Sequence, residues 1–282
     1  MNLIDKIRIF VHTYIKSTQK RNIMQQDRKI AILIDADNVA PKYIKYITDE
    51  LTKYGTATYK RIYGNWTSTH ADSWKKVLLE YAITPIQQYS YTTGKNATDS
   101  AMIIDAMDIL YSGNVDGFCI VSSDSDFTRL AVRLREAGMQ VIGMGEKKTP
   151  SPFITACEKF IYLDMLLPEK PKAKKTTKKV KSQDTQEQVE DKKDTKKEVT
   201  SKREIVSALT DIINDVSNDD GWAYLGDVFN LLNKRYPDFD SRLYGFKKPS
   251  TFIRSLTEFE TEARASKGAN ADSVFVRIKS QN

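Results

Sequence analysis

The 282-residue sequence contains only two cysteines, and it has no long apolar run. Two cysteines cannot form a disulfide framework, so Cys119, inside the apolar segment FCIV, is interpreted as a reduced core residue. No stretch reaches the roughly 18 consecutive apolar residues that a membrane-spanning helix needs. Residues 1–21 are interrupted by charges and lack the cleavage site of a secretory signal. The sequence therefore predicts a cytoplasmic protein with no membrane partner.

Histidine is also scarce, since His12 and His70 are the only two in the chain. This excludes a histidine-based metal cluster and leaves no candidate histidine general base. The glycine-rich loop with which nucleotide hydrolases hold phosphates is absent as well. The chemistry that remains is metal-assisted hydrolysis through carboxylates, and a phosphodiester is its natural substrate.

The net charge of +7 is concentrated in one segment. Residues 168–203 contain 13 Lys/Arg and 7 Asp/Glu, so the rest of the chain carries only +1. With three valines as its only large apolar residues, the segment is predicted to be a disordered linker. Its lysines either hold phosphate nonspecifically or only keep a tether soluble, and the tether is favoured. The predicted parts are an N-terminal extension at 1–28, an α/β domain at 29–167, the linker at 168–202 and a C-terminal domain at 203–282.

Five short apolar runs alternate with helical periods in the predicted α/β domain. The runs are continuous rather than alternating in polarity, which is typical of parallel strands buried on both faces. Strands are expected at 30–34, 58–64, 85–91, 118–123 and 141–145, and helices at 41–54, 74–81, 98–111 and 127–137. The pattern indicates a parallel sheet covered by helices, in which function collects at the carboxyl ends of the strands.

The C-terminal domain has a different pattern, with helices first and strands last. Helices are expected at 203–216, 224–235 and 250–256, with a short turn at 241–244. A hairpin follows at 258–279, turning near Lys267–Gly268. Three helices followed by a two-stranded wing predict an α+β winged-helix domain.

Acidic residues follow two of the predicted strands. The first strand runs into Asp35, Asp37 and Asn38, and the fourth runs into Asp124 and Asp126. Because the carboxyl ends of parallel strands meet at one edge of the sheet, these acids are expected to converge. Crowded carboxylates repel one another unless a cation neutralises them, and oxygen ligands suit Mg²⁺ or Mn²⁺. Any one of these acids could also be an ordinary helix cap.

A third acid lies on the predicted helix 98–111. Asp99 shares a stripe with Met102, Ile103, Ala106 and Leu110, and that stripe is expected to face the sheet. An inward-facing aspartate is costly unless it is satisfied, which a metal site would do and a helix cap would not. Asp105 and Asp108 point elsewhere on the helical wheel and are interpreted as solvated.

Four motifs carry a family resemblance over about residues 29–165: LIDADN, GKNATDSAM, IVSSDSDFTRLAVRLREAGMQVIGMG and PFITACEKFIYL. They resemble those of bacterial NYN domains in the PIN-like nuclease superfamily. The resemblance implies a Rossmann-like fold with a PIN-type acidic pocket. It further implies catalytic, metal-binding roles for Asp35, Asp99, Asp124 and Asp126, and supporting roles for Asn38, Ser122 and Asp105.

Other residues of this domain are candidates for binding nucleic acid. Tyr63 and Trp66 follow the second strand and could stack on bases, and Arg61 or Lys95 could hold phosphate. Packing is an equally good interpretation of the two aromatic residues. Arg129, one helical turn before Arg133, either binds phosphate or lies on a solvated face.

The C-terminal segment YLGDVFNLLNKRYPDFDSRLYGFKKPSTFIRSL resembles the OST-HTH (LOTUS) domain. That family implies a winged helix that binds RNA and, in some members, a protein partner. Lys247, Lys248 and Arg254 would lie on or beside its third helix, available to phosphates. Tyr244 and Phe246 are interpreted as core anchors.

The first hypothesis for function is a Mg²⁺- or Mn²⁺-dependent ribonuclease with an RNA-binding winged helix. One alternative is a regulatory RNA-binding adaptor without cleavage, and another is a DNA-directed nuclease, because the acidic site itself cannot recognise a 2′-hydroxyl. The apolar residues of the N-terminal extension are expected to pack on the nuclease domain, with a homodimer or a membrane contact as alternatives.

Overall fold

The computed structural model describes residues 28–67, 72–89, 97–167, 200–264 and 273–279. They form an α/β domain and a separate C-terminal domain of helices and strands. Lys95, both histidines, the first 27 residues and nearly all of the predicted linker lie outside the described residues. Among the helices described, none is long and apolar enough to cross a membrane.

The α/β domain is built on six parallel strands in the order β3-β2-β1-β4-β5-β6. The strands are β1 (Lys29–Asp35), β2 (Thr56–Gly64), β3 (Thr84–Gln87), β4 (Gly117–Val121), β5 (Gln140–Gly145) and β6 (Lys159–Tyr162). The predicted parallel sheet is confirmed. The sixth strand was not predicted from the sequence, because four residues that begin with a lysine do not form a recognisable apolar run.

Helices cover both faces of this sheet. They are α1 (Ile44–Leu51), α2 (Asp72–Glu80), α3 (Ala97–Ser112), α4 (Thr128–Glu136) and α5 (Ser151–Ala156). One core cluster lies under α3, α4 and α5 and contains Met102, Leu134 and Phe153. The other lies under α1 and α2 and contains Ile47 and Trp74. The layered α/β architecture follows from strands whose two faces are both apolar.

The strand order reverses between β1 and β4. From β1 the chain moves outward to β2 and β3, whereas from β4 it moves the other way to β5 and β6. In open α/β sheets a crevice forms at such a reversal, outside the carboxyl ends of the two central strands. The residues just after β1 and β4 therefore occupy the position where this fold forms a site.

The C-terminal domain contains α6 (Lys202–Val216), α7 (Leu225–Arg235) and α8 (Pro249–Arg254), with a 3-10 turn at Ser241–Tyr244. Its strands are β7 (Ala223–Tyr224), β8 (Phe259–Arg264) and β9 (Ser273–Ile278), in the antiparallel order β7-β9-β8. Ser201 and Glu204 form a capping box at the start of α6. The predicted helices and the two paired strands of the hairpin are present, whereas its predicted turn near Lys267–Gly268 lies outside the described residues. The strand β7 adds a short third strand to the wing.

Candidate metal centre

Asp35 is the buried acid at the end of β1, where β1 lies beside β4 in the sheet. Its carboxylate accepts hydrogen bonds from Asn38 Nδ2 at 2.7 Å and from Ser122 Oγ at 2.8 Å. The backbone N–H groups of Asp37 and Asn38 donate to its other oxygen at 3.0 and 3.3 Å. These bonds fix the turn that follows β1, and both carboxylate oxygens have protein partners.

Ser122 connects the segment after β1 to the segment after β4. While its hydroxyl donates to Asp35, the same oxygen accepts the N–H of Asp124 at 3.0 Å. Asp124 in turn caps the short 3-10 turn Ser125–Phe127 by accepting the N–H of Asp126 at 2.9 Å. The capping interpretation of Asp124 is thus correct locally, and Asp124 still has a carboxylate oxygen close to those of Asp99 and Asp126.

Asp99 reaches the pocket from the first turn of α3. The buried residues of this helix are Thr98, Met102, Ala106 and Ile109. Asp99 lies beside this inward stripe and is half-buried. Oxygen atoms of Asp99, Asp124 and Asp126 all lie within 4.8 Å of one another. This group, called the acidic triad below, combines one helix with the carboxyl end of β4.

The charges in the pocket influence one another. Burial, followed by the negative charges of Asp35 and Asp124, raises the pKa of Asp99 to about 6. Burial also raises the pKa of Asp35, although the hydrogen bonds from Asn38 and Ser122 oppose that shift. A carboxyl group with a raised pKa is one whose ionised form is disfavoured. A divalent cation would offset this repulsion, and the oxygen donors of the acidic triad fit Mg²⁺ or Mn²⁺.

The structure brings three of the four predicted acids into one group and leaves the fourth beside it. Asp35 is not part of the acidic triad, although its charge contributes to the raised pKa of Asp99. Asn38 and Ser122, which the sequence predicted as supporting residues, contact Asp35 directly. Asp37 is exposed at the turn after β1.

Asp105, Arg61 and Tyr63 form a separate cluster between α3 and β2. The guanidinium of Arg61 and the hydroxyl of Tyr63 both donate to the carboxylate of Asp105. The prediction that Asp105 is solvated is therefore wrong. Tyr63 is fully buried and has no face to offer a base, so the structure assigns it to packing and not to stacking. Arg61 is occupied by its ion pair with Asp105.

Trp66 lies in the turn after β2. Its indole N–H donates to the backbone oxygen of Ile86 at 2.9 Å, and its ring packs against the core cluster under α1 and α2. This bond ties the turn to β3. Packing, one of the two interpretations of this residue, is the one that the contacts favour.

The remaining predicted nucleic-acid contacts are basic residues on the surface. Arg129 is exposed on α4, and Lys247, Lys248 and Arg254 are exposed around α8. The ring centroids of Tyr244 and Phe246 lie 5.0 and 5.7 Å from the ring centroid of Phe252. These contacts confirm the two residues as packing residues.

A cavity of about 650 Å³ beside the turn after β1 contains residues that the sequence analysis missed. Its polar lining includes Asp37 and Asn38, which the sequence already indicated, and Asn65, Ser73 and Glu146, which it did not. Glu146 directly follows β5, and its N–H donates to Ser123 Oγ at 2.8 Å. Its position at the carboxyl end of a central strand was the signal that could have identified it.

Two family models match the chain. The NYN domain matches residues 29–164, and the OST-HTH/LOTUS domain matches residues 200–270. An uncharacterized protein of Methanocaldococcus jannaschii is 25% identical over 134 residues, which cover 46% of this chain and 52% of that protein. The chain thus spans about half the length of this curated relative.

Two solved structures are also similar to parts of the chain. A protein of unknown function from Vibrio parahaemolyticus has a TM-score of 0.41 and 20% identity, and the match covers 48% of this chain and 92% of that one. An uncharacterized protein from Nitrosomonas europaea has a TM-score of 0.26 and 33% identity, with coverage of 38% and 94%.

Proposed function

We propose that this chain, whose residues 29–164 form an NYN domain and whose residues 200–270 form an OST-HTH/LOTUS domain, is a divalent-metal-dependent endoribonuclease. NYN domains belong to a nuclease family, and the LOTUS domain is an RNA-binding domain. The observation that carries the proposal is the acidic triad, whose three carboxylates lie within 4.8 Å of one another at the edge of the sheet.

Asp99, Asp124 and Asp126 would hold the cation. When bound, Mg²⁺ or Mn²⁺ supplies activation of water for attack on phosphorus and neutralises charge on the leaving oxygen. Asp35 adds negative charge behind the acidic triad, while Asn38 and Ser122 fix its carboxylate in one orientation. Asp124 also holds the short turn that presents Asp126.

The preference for RNA is supported by the C-terminal domain. Lys247 and Lys248 are exposed immediately before α8, and Arg254 is exposed at its end. Cationic side chains around one short helix suit contacts to phosphates, which position a strand without reading its sequence. We propose that this surface holds RNA while the acidic triad cleaves it.

The test is cleavage of labelled single-stranded RNA, structured RNA and matched DNA in Mn²⁺, Mg²⁺ and EDTA. Wild type, Asp124→Asn and the control Asp108→Asn are compared, with unfolding curves for all three. Asp108 is an exposed acid on α3, outside the acidic triad. The proposal expects metal-dependent RNA cleavage by wild type and the control, and loss of cleavage in Asp124→Asn.

Each other outcome has a definite meaning. Cleavage that survives Asp124→Asn contradicts the proposed pocket. Equal cleavage of DNA makes the protein a general or DNA-directed nuclease. RNA binding without cleavage in any metal makes it a regulatory adaptor.

A further inference from the structure

The C-terminal domain contacts β6, the edge strand of the parallel sheet. The N–H of Phe160 donates to the backbone oxygen of Pro237 at 2.9 Å. The hydroxyl of Tyr162 donates to Asp238 Oδ2 at 2.9 Å. An edge strand has unpaired backbone groups that proteins usually cover. Here the segment after α7 covers it.

Lys159, at the start of β6, is partly buried in this contact. Its ammonium donates to Asn233 Oδ1 at 2.8 Å and to the backbone oxygen of Phe239 at 2.7 Å. Burial lowers the pKa of Lys159, and the charges of Asp240 and Asp238 oppose that shift. A buried ammonium is costly unless it is hydrogen-bonded. Both of its partners belong to the C-terminal domain, so the contact is specific.

A second contact lies at the end of α1. The guanidinium of Arg242 is 3.2 Å from Glu50 and 2.6 Å from Asp240, so it links the two domains. Leu243 packs against the core cluster under α3, α4 and α5. Together with the β6 contact, these interactions fix the orientation of the C-terminal domain rather than attaching it at one point.

A cavity of about 300 Å³, called the junction cleft below, lies between the docked domains. The loop after β5 provides Lys147, and the end of α7 provides Arg235 and Tyr236. The loop after β5 is at the same end of the sheet as the acidic triad. The residue before Lys147 donates its N–H to Ser123 Oγ, and Ser123 directly precedes Asp124.

Two cations line the junction cleft, together with one carboxylate, that of Asp238, which accepts the Tyr162 hydroxyl. Lys147 and Arg235 are both exposed cations, one from each domain. Within the part of the chain that the structure describes, Arg235 forms a 3.7 Å ion pair with Asp211, whose side chain is also exposed. A polyanionic strand is repelled by a cluster of aspartates, so cations at the same end of the sheet favour its approach.

We infer that the junction cleft binds the sugar-phosphate backbone of the same RNA strand that the acidic triad cleaves, with Lys147 and Arg235 as phosphate contacts. This inference rests on the proposed function. It makes the C-terminal domain one wall of a continuous RNA path. The linker is then not the element that determines where the two domains meet the substrate.

The test measures binding of a labelled single-stranded RNA to the full chain over a range of salt concentrations. All proteins carry Asp124→Asn, so that the RNA stays intact. Lys147→Ala/Arg235→Ala is compared with Lys76→Ala/Lys234→Ala, which removes one exposed lysine from each domain outside the junction cleft. Unfolding curves confirm that each variant is folded.

Removing two phosphate contacts is expected to weaken binding about tenfold at low salt and to reduce the slope of log K against log salt by about 1.4. The control pair should stay within about twofold of the parent protein. Equal affinity of the cleft variant and the control overturns the inference, and so does weaker binding with an unchanged slope. Failure of the proposed function is seen separately, as an absence of RNA cleavage by the wild-type chain.

Discussion

Ser122 connects the two acidic segments of the pocket, which follow β1 and β4, through hydrogen bonds. Its hydroxyl donates to the buried carboxylate of Asp35 and accepts the N–H of Asp124. Because the position is fully buried, a small side chain with both a donor and an acceptor is needed to make both bonds. The sequence motif IVSSDSDF identified the residue through its family resemblance, whereas its two hydrogen bonds became visible only in the fold.

Ser122→Ala should therefore weaken both folding and cleavage. It leaves the buried Asp35 carboxylate with one donor fewer, which costs about 1–3 kcal/mol of unfolding free energy. Urea unfolding and single-turnover cleavage measure the two effects. Ser112→Ala, which removes a local hydrogen bond at the far end of α3, is the matched control. An unchanged unfolding free energy in Ser122→Ala would contradict the assigned role.

Asp99 makes the stability of the metal-free protein depend on pH. Its pKa in the folded state is about 6, above the ordinary value of 3.8 expected in the unfolded chain. The folded state therefore binds this proton more tightly than the unfolded state does. The stabilisation by protonated Asp99 is present at low pH and is lost as the pH rises toward and through 6. A cation bound by the ionised group should reverse that loss.

Thermal unfolding at pH 5 and pH 7.5, with EDTA or Mn²⁺, checks this prediction. In EDTA, wild type should lose stability relative to Asp99→Asn between these pH values. Added Mn²⁺ should stabilise wild type more at pH 7.5 than at pH 5. At both pH values it should stabilise Asp99→Asn less than it stabilises wild type. Parallel pH curves for the two proteins in EDTA would show that Asp99 has an ordinary pKa.

At the scale of elements, the cluster of Asp105, Arg61 and Tyr63 joins α3 to β2. The sequence suggested RNA contacts for Arg61 and Tyr63, because both lie near the carboxyl end of β2. The sequence could not identify Asp105 as the partner of these two residues, because it is more than 40 residues away from both. Helical periodicity places a side chain on a face of its helix, and it does not identify the partner on a neighbouring strand.

Asp105→Ala should destabilise the fold while leaving the chemistry of the pocket intact. Loss of the carboxylate leaves the Tyr63 hydroxyl and the Arg61 guanidinium without their partner, at a cost of about 1–3 kcal/mol. Urea unfolding should show this loss, and cleavage per folded molecule should stay within a few-fold of wild type. Asp108→Ala, on the exposed side of the same helix, is the control. A loss of cleavage without destabilisation would make Asp105 part of the catalytic pocket.

The parallel sheet was predictable because β1, β4 and β5 are short, nearly continuous apolar runs that the fold buries almost completely. That pattern, with acids after the first and fourth runs, was enough to place Asp124 and Asp126 at one edge of the sheet. Of the predicted third strand, 85–91, the observed strand Thr84–Gln87 covers the first part, 88–89 are not strand, and 90–91 lie outside the described residues. The predicted helix 41–54 is a 3-10 turn followed by α1. Local propensity does not determine where hydrogen bonding between neighbouring strands stops.

For the whole molecule, the sequence predicted two domains and left their relation open. Lys159 and Phe239 are 80 residues apart in the sequence. In addition, a partly buried lysine at the start of a short strand cannot be distinguished from an exposed lysine by sequence alone. The contact between the two domains therefore has no recognisable pattern in the sequence.

Lys159→Met should loosen the contact between the domains. Methionine fills similar space, and it leaves Asn233 Oδ1 and the backbone oxygen of Phe239 without their donor. Hydrogen exchange should become faster at the Phe160 amide, which is bonded to Pro237, while the amide of Ile32 in the central strand β1 stays protected. Lys148→Met, at an exposed lysine, is the control. Unchanged exchange at Phe160 would mean that Lys159 does not hold the domains together.

The central claim is that the acidic triad is the catalytic centre of an RNA nuclease. The most direct test is single-turnover cleavage of one labelled RNA in Mn²⁺ by wild type, Asp99→Asn, Asp126→Asn and the exposed-acid control Asp108→Asn. We expect each triad variant to lose about a hundredfold or more in rate, as typically follows from loss of a group that stabilises the transition state, while the control stays near wild type. Triad variants that cut RNA as fast as the control would contradict the claim.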